Sequence, residues 1–176
     1  MLSLNLNTIR TAQERFEQVY TLEQFGQEQD FTVLEPIALA FDIFKDKQQF
    51  RLVGHVKTTL ELGCSRCLEP YALAVDQTFD LRYQPHAHNT GEGEVEIEED
   101  DLTTAFYDND EIDLGHLMRE QFYLALPMKP LCENACKGLC VICGTNLNRG
   151  ACVCSRNWED PRLAALKQLK VKKTDA

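Results

Sequence analysis

The sequence predicts an α+β fold, in which an antiparallel β-meander with a few helices is followed by a cysteine-rich C-terminal segment. Three observations support this prediction. Apolar and polar residues alternate with period 2 over most of residues 31–83, which is typical of strands with one buried face. Helix start signals occur in only a few places, and six of the eight cysteines lie within residues 132–154. With 176 residues, 44% of them hydrophobic, the chain can form one ordinary core and a small addition.

Three alternating stretches predict three consecutive strands. The apolar positions are odd in residues 31–43, even in 50–62 and odd again in 71–83. The first turn is expected at residues 45–48 and the second at residues 63–70. Because the second connection contains Cys64 and Cys67, it places a pair of thiols at a hairpin tip. Outside these strands, residues 2–6 predict a short strand, and residues 11–22 a short helix or a loop.

The whole chain divides into a β-sheet domain, residues 1–127, and a cysteine-rich segment, residues 128–176. The sheet domain is expected to include an acidic loop at about 84–111 and a packing helix at about 113–126, for which Asp113 is a suitable N-cap. Asp160 and Pro161 predict the start of a final helix. We expect the C-terminal segment to be stapled to the sheet.

The charge is unevenly distributed along the chain. The net charge is −10, and residues 91–113 contain 11 acidic and no basic residues. A chain of this charge does not coat nucleic acid through electrostatics alone. No apolar stretch is long enough to cross a membrane, and the N-terminus has no secretory signal pattern. We therefore expect a cytoplasmic protein with reduced thiols and no membrane partner.

The eight cysteines indicate metal binding. They are Cys64, Cys67, Cys132, Cys136, Cys140, Cys143, Cys152 and Cys154. They form two C-x2-C pairs, one C-x3-C pair and one C-x-C pair, and a reducing compartment favours thiolate-bound metal over disulfides. Eight thiolates are enough for two closed four-cysteine sites. We expect two structural zinc ions, so the C-terminal segment is predicted to be zinc-binding.

Two pairings of the cysteines remain open. In the first, Cys64 and Cys67 share an ion with Cys132 and Cys136, and the last four cysteines form a local site. In the second, the two C-x2-C pairs share one ion, as in zinc ribbons. The first arrangement would fasten the C-terminal segment to the hairpin tip.

Contacts with RNA, if they occur, must be local. Residues 129–176 contain nine basic and four acidic residues, but each four-thiolate zinc site carries a charge of about −2. The candidate contacts are Arg66, Arg149, Arg156, Lys167, Lys170, Lys172 and Lys173.

Several strings in this order resemble a known bacterial family. They are Cys64-Ser65-Arg66-Cys67-Leu68-Glu69-Pro70, Ile112-Asp113-Leu114, Arg119-Glu120-Gln121, Leu124-Ala125-Leu126-Pro127, Pro130-Leu131-Cys132, Cys136-Lys137-Gly138-Leu139-Cys140, Cys143-Gly144, Leu147-Asn148 and Asp160-Pro161-Arg162-Leu163. From about Arg10 to Lys170, the chain resembles the YceD family, the large ribosomal RNA subunit accumulation proteins. The resemblance implies a ribosome biogenesis factor that supports accumulation of 23S rRNA, and the closed four-cysteine sites favour a non-enzymatic one. The expectation of metal comes from the cysteine spacing in this chain.

The implied partners are 23S rRNA or a pre-50S particle. A basic large-subunit ribosomal protein is a further expected partner, through the acidic residues 91–113. The alternative function is a thiol- or metal-dependent enzyme that acts on RNA or in redox chemistry. None of the four histidines has a spacing that completes an open metal site, and thiols that bind structural zinc are not free to react. We therefore predict no catalytic residue.

Overall fold

The computed structural model describes residues 2–26, 28–85 and 104–154. In chain order, the strands are β1 (Ser3–Asn5), β2 (Gln13–Tyr20), β3 (Thr32–Val33), β4 (Ile37–Asp46), β5 (Gln49–Gly63), β6 (Pro70–Pro85), β7 (Thr104–Tyr107) and β8 (Glu111–Asp113). The helices are α1 (Leu22–Phe25) and α2 (Leu114–Ala125), and a 3-10 turn covers Leu6–Thr8. The main sheet has the order β2-β4-β5-β6-β7, while β1 and β8 form a separate pair.

The predicted α+β fold and its antiparallel meander are confirmed. Strand β5 pairs with β4 on one side and with β6 on the other, both antiparallel. The inner face is apolar, and Ile37, Leu52 and Leu60 have no exposed surface. The β5–β6 pairing continues to the end of β5, where Gly63 lies opposite Pro70. The connection that follows is therefore a short tip, as the sequence predicts.

The first alternating stretch is not one strand, contrary to the prediction. Val33 pairs with Leu60 and Ala38 pairs with Lys57, so four residues on one side oppose two on the other. The Thr58 hydroxyl donates to the Glu35 carbonyl at 2.8 Å and helps to hold this bulge. Strands β3 and β4 therefore follow the same edge of β5 but are separate.

Residues 11–22 form neither a helix nor a loop over most of their length. They form β2, an edge strand that pairs with all but the end of β4. Only Tyr20 is buried, and Phe16 stacks on Phe41 with ring centroids 5.3 Å apart. An edge strand is held mainly by backbone hydrogen bonds on one side, so it needs few apolar residues.

The predicted bounds of the acidic loop, about 84–111, are wrong at both ends. Gln84 and Pro85 belong to β6, and residues 104–107 form β7, which pairs parallel to the end of β6. The sheet is therefore not purely antiparallel. Residues 86–103, which contain much of the predicted loop, lie outside the described part of the chain.

Helix α2 packs its apolar residues into the main hydrophobic core. The Asp113 carboxylate accepts a hydrogen bond from the His116 backbone N–H at 2.9 Å, as expected of an N-cap. Phe122 is fully buried, with its ring edge-on to those of Phe25 and Phe31. In the described ranges, no helix is long and apolar enough to span a membrane. The helix predicted to start at residue 160 lies outside those ranges.

Candidate metal centres

The first candidate centre begins at the β5–β6 hairpin tip. Backbone hydrogen bonds tighten the tip, because the Cys64 N–H donates to the Glu69 carbonyl and the Leu68 N–H donates to the Cys64 carbonyl, both at 2.9 Å. Leu68 takes a left-handed conformation with φ 62°. The turn directs the two thiols away from solvent, so that Cys64 is 1% exposed and Cys67 is 4% exposed.

Residues 130–139 lie against this tip. The Ser65 N–H donates to the Pro130 carbonyl at 2.8 Å, and the Leu139 N–H donates to the Arg66 carbonyl at 3.2 Å. Gly138 allows the close approach, because it has φ 73° and a Cβ there would lie 3.0 Å from the Arg66 carbonyl oxygen. These contacts bring the C-x3-C pair to the tip.

Four sulfurs meet at this junction, which we name site 1. Its members are Cys64, Cys67, Cys132 and Cys136, and their sulfurs all lie within 4.8 Å of one another. The Cys64–Cys136 and Cys67–Cys132 sulfur distances are 3.8 and 3.7 Å. A tetrahedral zinc ion with Zn–S bonds of about 2.3 Å requires sulfurs about 3.8 Å apart. The four cysteines therefore fit a tetrahedral ion.

A second group of four sulfurs, which we name site 2, comes from one local segment. It contains Cys140, Cys143, Cys152 and Cys154, again within 4.8 Å of one another. Gly144, with φ 72°, closes the turn after the C-x2-C pair by donating its N–H to the Cys140 carbonyl at 2.9 Å. The Ile142 N–H donates to the Cys140 sulfur at 3.5 Å. All four cysteines of site 2 retain solvent exposure, whereas three of the four in site 1 are buried.

The sulfurs are grouped as in the first of the two predicted pairings. The two C-x2-C pairs lie in different groups, so the alternative in which they share one ion does not apply to this structure. Each group can hold one metal ion.

Hydrogen bonds and burial give the thiols of each site very different affinities for protons. The backbone N–H groups of Cys67 and Cys132 lower the pKa of Cys64 to about 6. Burial and nearby sulfurs, with Cys136 foremost among them, raise the pKa of Cys132 to about 12. In site 2, hydrogen bonds from Thr145 lower the pKa of Cys143 to about 6. Because neighbouring thiolates repel one another, a full set of four requires a cation between them.

Two of the residues predicted to contact RNA lie beside the centres. Arg66 donates to the Cys136 carbonyl at 2.8 Å, and Arg149 forms an ion pair with Glu69 at 2.7 Å. Both side chains remain exposed while they hold the C-terminal segment at the tip. The other predicted contacts, Arg156, Lys167, Lys170, Lys172 and Lys173, lie outside the described residues.

Sequence reasoning missed two residues that contact the sulfurs, namely Thr145, whose hydroxyl lies 3.1 Å from the Cys143 sulfur, and Asn148. The Asn148 side chain donates its Nδ2 to the Cys136 sulfur at 3.2 Å. Asn148 belongs to the Leu147-Asn148 string that contributes to the family resemblance, but the string carries no metal-ligand spacing. Its position in that string is the sequence signal that could have identified Asn148.

Comparisons with known proteins agree with the strings in the sequence. The family model described as "Large ribosomal RNA subunit accumulation protein YceD" matches residues 52–170, a range that contains all eight cysteines. No solved structure matches the chain significantly.

Three relatives carry the same description. Large ribosomal RNA subunit accumulation protein YCED homolog 1, chloroplastic, is 29% identical in Arabidopsis thaliana over 77% of this chain and 49% of that protein, and 29% identical in Zea mays over 68% and 48%. The protein named YceD from Haemophilus influenzae is 29% identical over 74% of this chain and 75% of its own length. The chain thus spans about half the length of the plant relatives it matches. Since the family model covers more than half of the chain, the protein belongs to the YceD family of large ribosomal RNA subunit accumulation proteins.

Proposed function

We propose that this protein is a non-enzymatic, cytoplasmic ribosome biogenesis factor that supports the accumulation of 23S rRNA and of the large subunit. The names of its relatives support the role in rRNA accumulation. It acts by binding rRNA or a ribosomal protein on a pre-50S particle.

The two cysteine groups each hold one structural zinc ion in this proposal. The single observation that carries it is the pair of sulfur distances in site 1, 3.7 and 3.8 Å, which match the edge of a zinc–thiolate tetrahedron. Four thiolates fill the coordination sphere of zinc and leave no position for substrate or water. Such sites fix the geometry of the chain and do not catalyse, which favours the factor over a metal-dependent enzyme or a redox protein.

The surface that meets RNA lies on and beyond the zinc-bound segment. Arg66 and Arg149 are exposed at the junction between the tip and the segment, where they can reach phosphates. The remaining contacts are Arg156, Lys167, Lys170, Lys172 and Lys173 in the part of the sequence that follows. The acidic residues 91–113 are suited to a basic large-subunit ribosomal protein.

The first test is crosslinking in cells, followed by sequencing of the attached RNA and by mass spectrometry of the attached proteins. We expect 23S rRNA or a large-subunit ribosomal protein to be enriched in pre-50S fractions. Charge reversal at Lys167, Lys170, Lys172 and Lys173 should reduce any RNA crosslinks and lower the salt dependence of binding. Lys57→Glu is the control for reversing Lys170 alone, because Lys57 lies on the sheet in an exposed ion pair with Asp76. Crosslinks to neither class of partner would refute the proposed action.

The metal content is tested separately by native mass spectrometry. Two zinc ions per chain and no reactive thiol before unfolding are expected. Fewer ions, or thiols that react at neutral pH in the zinc-loaded protein, would favour the redox alternative.

A further inference from the structure

Asn148 belongs by sequence to site 2 but contacts site 1. It lies in the loop between Cys143 and Cys152, both of which are members of site 2. Its Nδ2 donates to the Cys136 sulfur of site 1 at 3.2 Å, and its Oδ1 accepts from the Lys137 backbone N–H at 2.7 Å. Because a backbone N–H can only donate, the amide oxygen must face Lys137 and the NH2 group must face the sulfur.

The position of this amide depends on how the loop is held. The Leu147 N–H donates to the Gly138 carbonyl at 2.9 Å. The Asn148 N–H donates to the Asn146 side-chain oxygen at 2.9 Å. An ion in site 2 would tie Cys143 to Cys152 and so close both ends of the loop. Closing the loop reduces the number of conformations in which Asn148 faces away from the sulfur.

We propose that Asn148 couples the two metal sites, so that zinc in site 2 strengthens zinc binding in site 1. The proposal rests on the zinc sites of the proposed function. An N–H group that donates to a coordinating sulfur stabilises the thiolate and orients it, as groups hydrogen-bonded to metal ligands do in other metal sites. By thermodynamic linkage, zinc in site 1 strengthens zinc binding in site 2 by the same factor.

The two sites also differ in where their ligands come from. The four ligands of site 2 lie within residues 140–154, whereas site 1 joins the hairpin tip to residues 132–136. Loss of a group that is hydrogen-bonded to a metal ligand typically weakens metal binding on the order of 10-fold or more, and we expect about that effect at site 1.

The test uses the full chain and measures zinc affinity at site 1 by competition with a chromophoric chelator. Three proteins are compared with wild type: Asn148→Ala, Cys152→Ser/Cys154→Ser, and the combination of all three substitutions. Each of the first two should weaken site 1 about 10-fold. The combination should weaken it no further, because both act through one hydrogen bond.

Two further measurements separate coupling from a loss of structure. Asn134→Ala is the matched control, because Asn134 lies between Cys132 and Cys136 and its hydrogen bond within the described residues is made by its backbone carbonyl, which accepts from Arg66. It should bind zinc as wild type does. In cadmium-113 spectra of protein loaded at both sites, Asn148→Ala should shift the site 1 resonance more than the site 2 resonance.

The outcomes distinguish the two proposals. A wild-type chain that binds fewer than two zinc ions refutes the metal sites themselves. Two bound ions with an unchanged site 1 affinity in Asn148→Ala refute the coupling alone. The coupling also fails if the Asn148 and site 2 substitutions weaken site 1 additively, or if Asn134→Ala weakens it equally.

Discussion

Three glycines in the cysteine-rich segment provide a graded test of how it docks on the hairpin tip. Gly138 has φ 73° and lies against Arg66, Gly144 has φ 72° with open space around it, and Gly150 has open space without a left-handed φ. Alanine therefore adds strain and a close contact at position 138, strain alone at position 144, and neither at position 150. The three substitutions are chemically identical and lie within 13 positions of one another.

The expected magnitudes follow from these surroundings. A left-handed conformation costs alanine roughly 1 kcal/mol more than glycine. At Gly138 the new Cβ would also lie 3.0 Å from the Arg66 carbonyl oxygen and 3.3 Å from its Cβ, which adds roughly another 1 kcal/mol. We expect Gly138→Ala to weaken docking by about 2 kcal/mol, or roughly 30-fold in zinc affinity at site 1. Gly144→Ala should weaken site 2 by about 1 kcal/mol, and Gly150→Ala should be neutral or slightly stabilising.

Two assays measure these effects. Competition with a chelator gives the zinc affinities, and amide hydrogen exchange reports on the Ser65 and Leu139 N–H groups that bridge the tip and the segment. Both amides should exchange faster in Gly138→Ala and at the wild-type rate in Gly150→Ala. Wild-type zinc binding and exchange in Gly138→Ala would refute the docked geometry. Equal damage from Gly150→Ala would show that the effect is a general consequence of losing glycine.

Three other perturbations follow from the same structure. Phe122→Ala should lower the free energy of unfolding by about 3–5 kcal/mol in urea titrations, because this fully buried ring packs edge-on to Phe25 and Phe31; a loss below about 1 kcal/mol would contradict that packing. In metal-free protein, the alkylation rate of Cys143 should reach half its maximum near pH 6. The hydrogen bond to Cys143 and burial raise the pKa of Cys154 to about 12, so Cys154 should resist alkylation at pH 8. The folded pKa of Cys143 lies below the ordinary value of 9.0. The stability linked to its ionisation is therefore complete above pH 9 and is lost as the pH falls through about 6. The same alkylation rate for both thiols across this range would refute the difference between their pKa values. Removal of metal by a chelator should leave the strand signal in far-ultraviolet circular dichroism, because the main core is separate from the cysteine cluster; collapse of that signal would show that the sheet depends on the metal.

The meander could be predicted because its strands bury only one face. The break between β3 and β4 could not be predicted from the same alternation. The bulge inserts two residues, which is one full period of a strand, so Val33 and Ile37 keep the same parity on either side of it. An insertion of a single residue would have moved the apolar positions to the other face and been visible in the sequence.

Strands β2 and β7 left weaker signals for a different reason. Both lie at the edges of the sheet, where pairing through backbone hydrogen bonds on one side places little demand on side-chain pattern. The parallel pairing of β7 with β6 also depends on how the chain returns to the sheet, which local periodicity does not encode. The helix α2 was predictable because it combines the Asp113 cap with an apolar stripe that ends near Pro127.

At the cysteine sites, the ligand pairs could be predicted and the interactions between the pairs could not. Short spacings identify cysteines that can share an ion, and the strand pattern places Cys64 and Cys67 at a tip. The residues that align the two segments act through single contacts over long sequence separations. Arg66 reaches the carbonyl of Cys136, 70 positions away, and such a contact leaves no periodic trace. The arginine that sequence analysis selected as a contact for RNA is therefore also part of the junction.

The position of site 1 explains why an ion is suited to holding the C-terminal segment. Within the described ranges, the buried residues form two clusters, and the smaller one contains Cys64, Cys67 and Cys136, with Tyr71, Leu131 and Leu139 partly buried against it. A cluster of this size buries too little apolar surface to offset the conformational entropy lost when a long segment is ordered, and small units of this kind usually need a metal or a disulfide. The hairpin extends the tip beyond the main core and supplies two preformed ligands, so the segment needs to contribute only two more. An ion at this place would fix the segment, with Arg66 and Arg149, relative to the sheet. Any partner that contacts both arginines would then bind the metal-loaded chain more tightly than the metal-free chain.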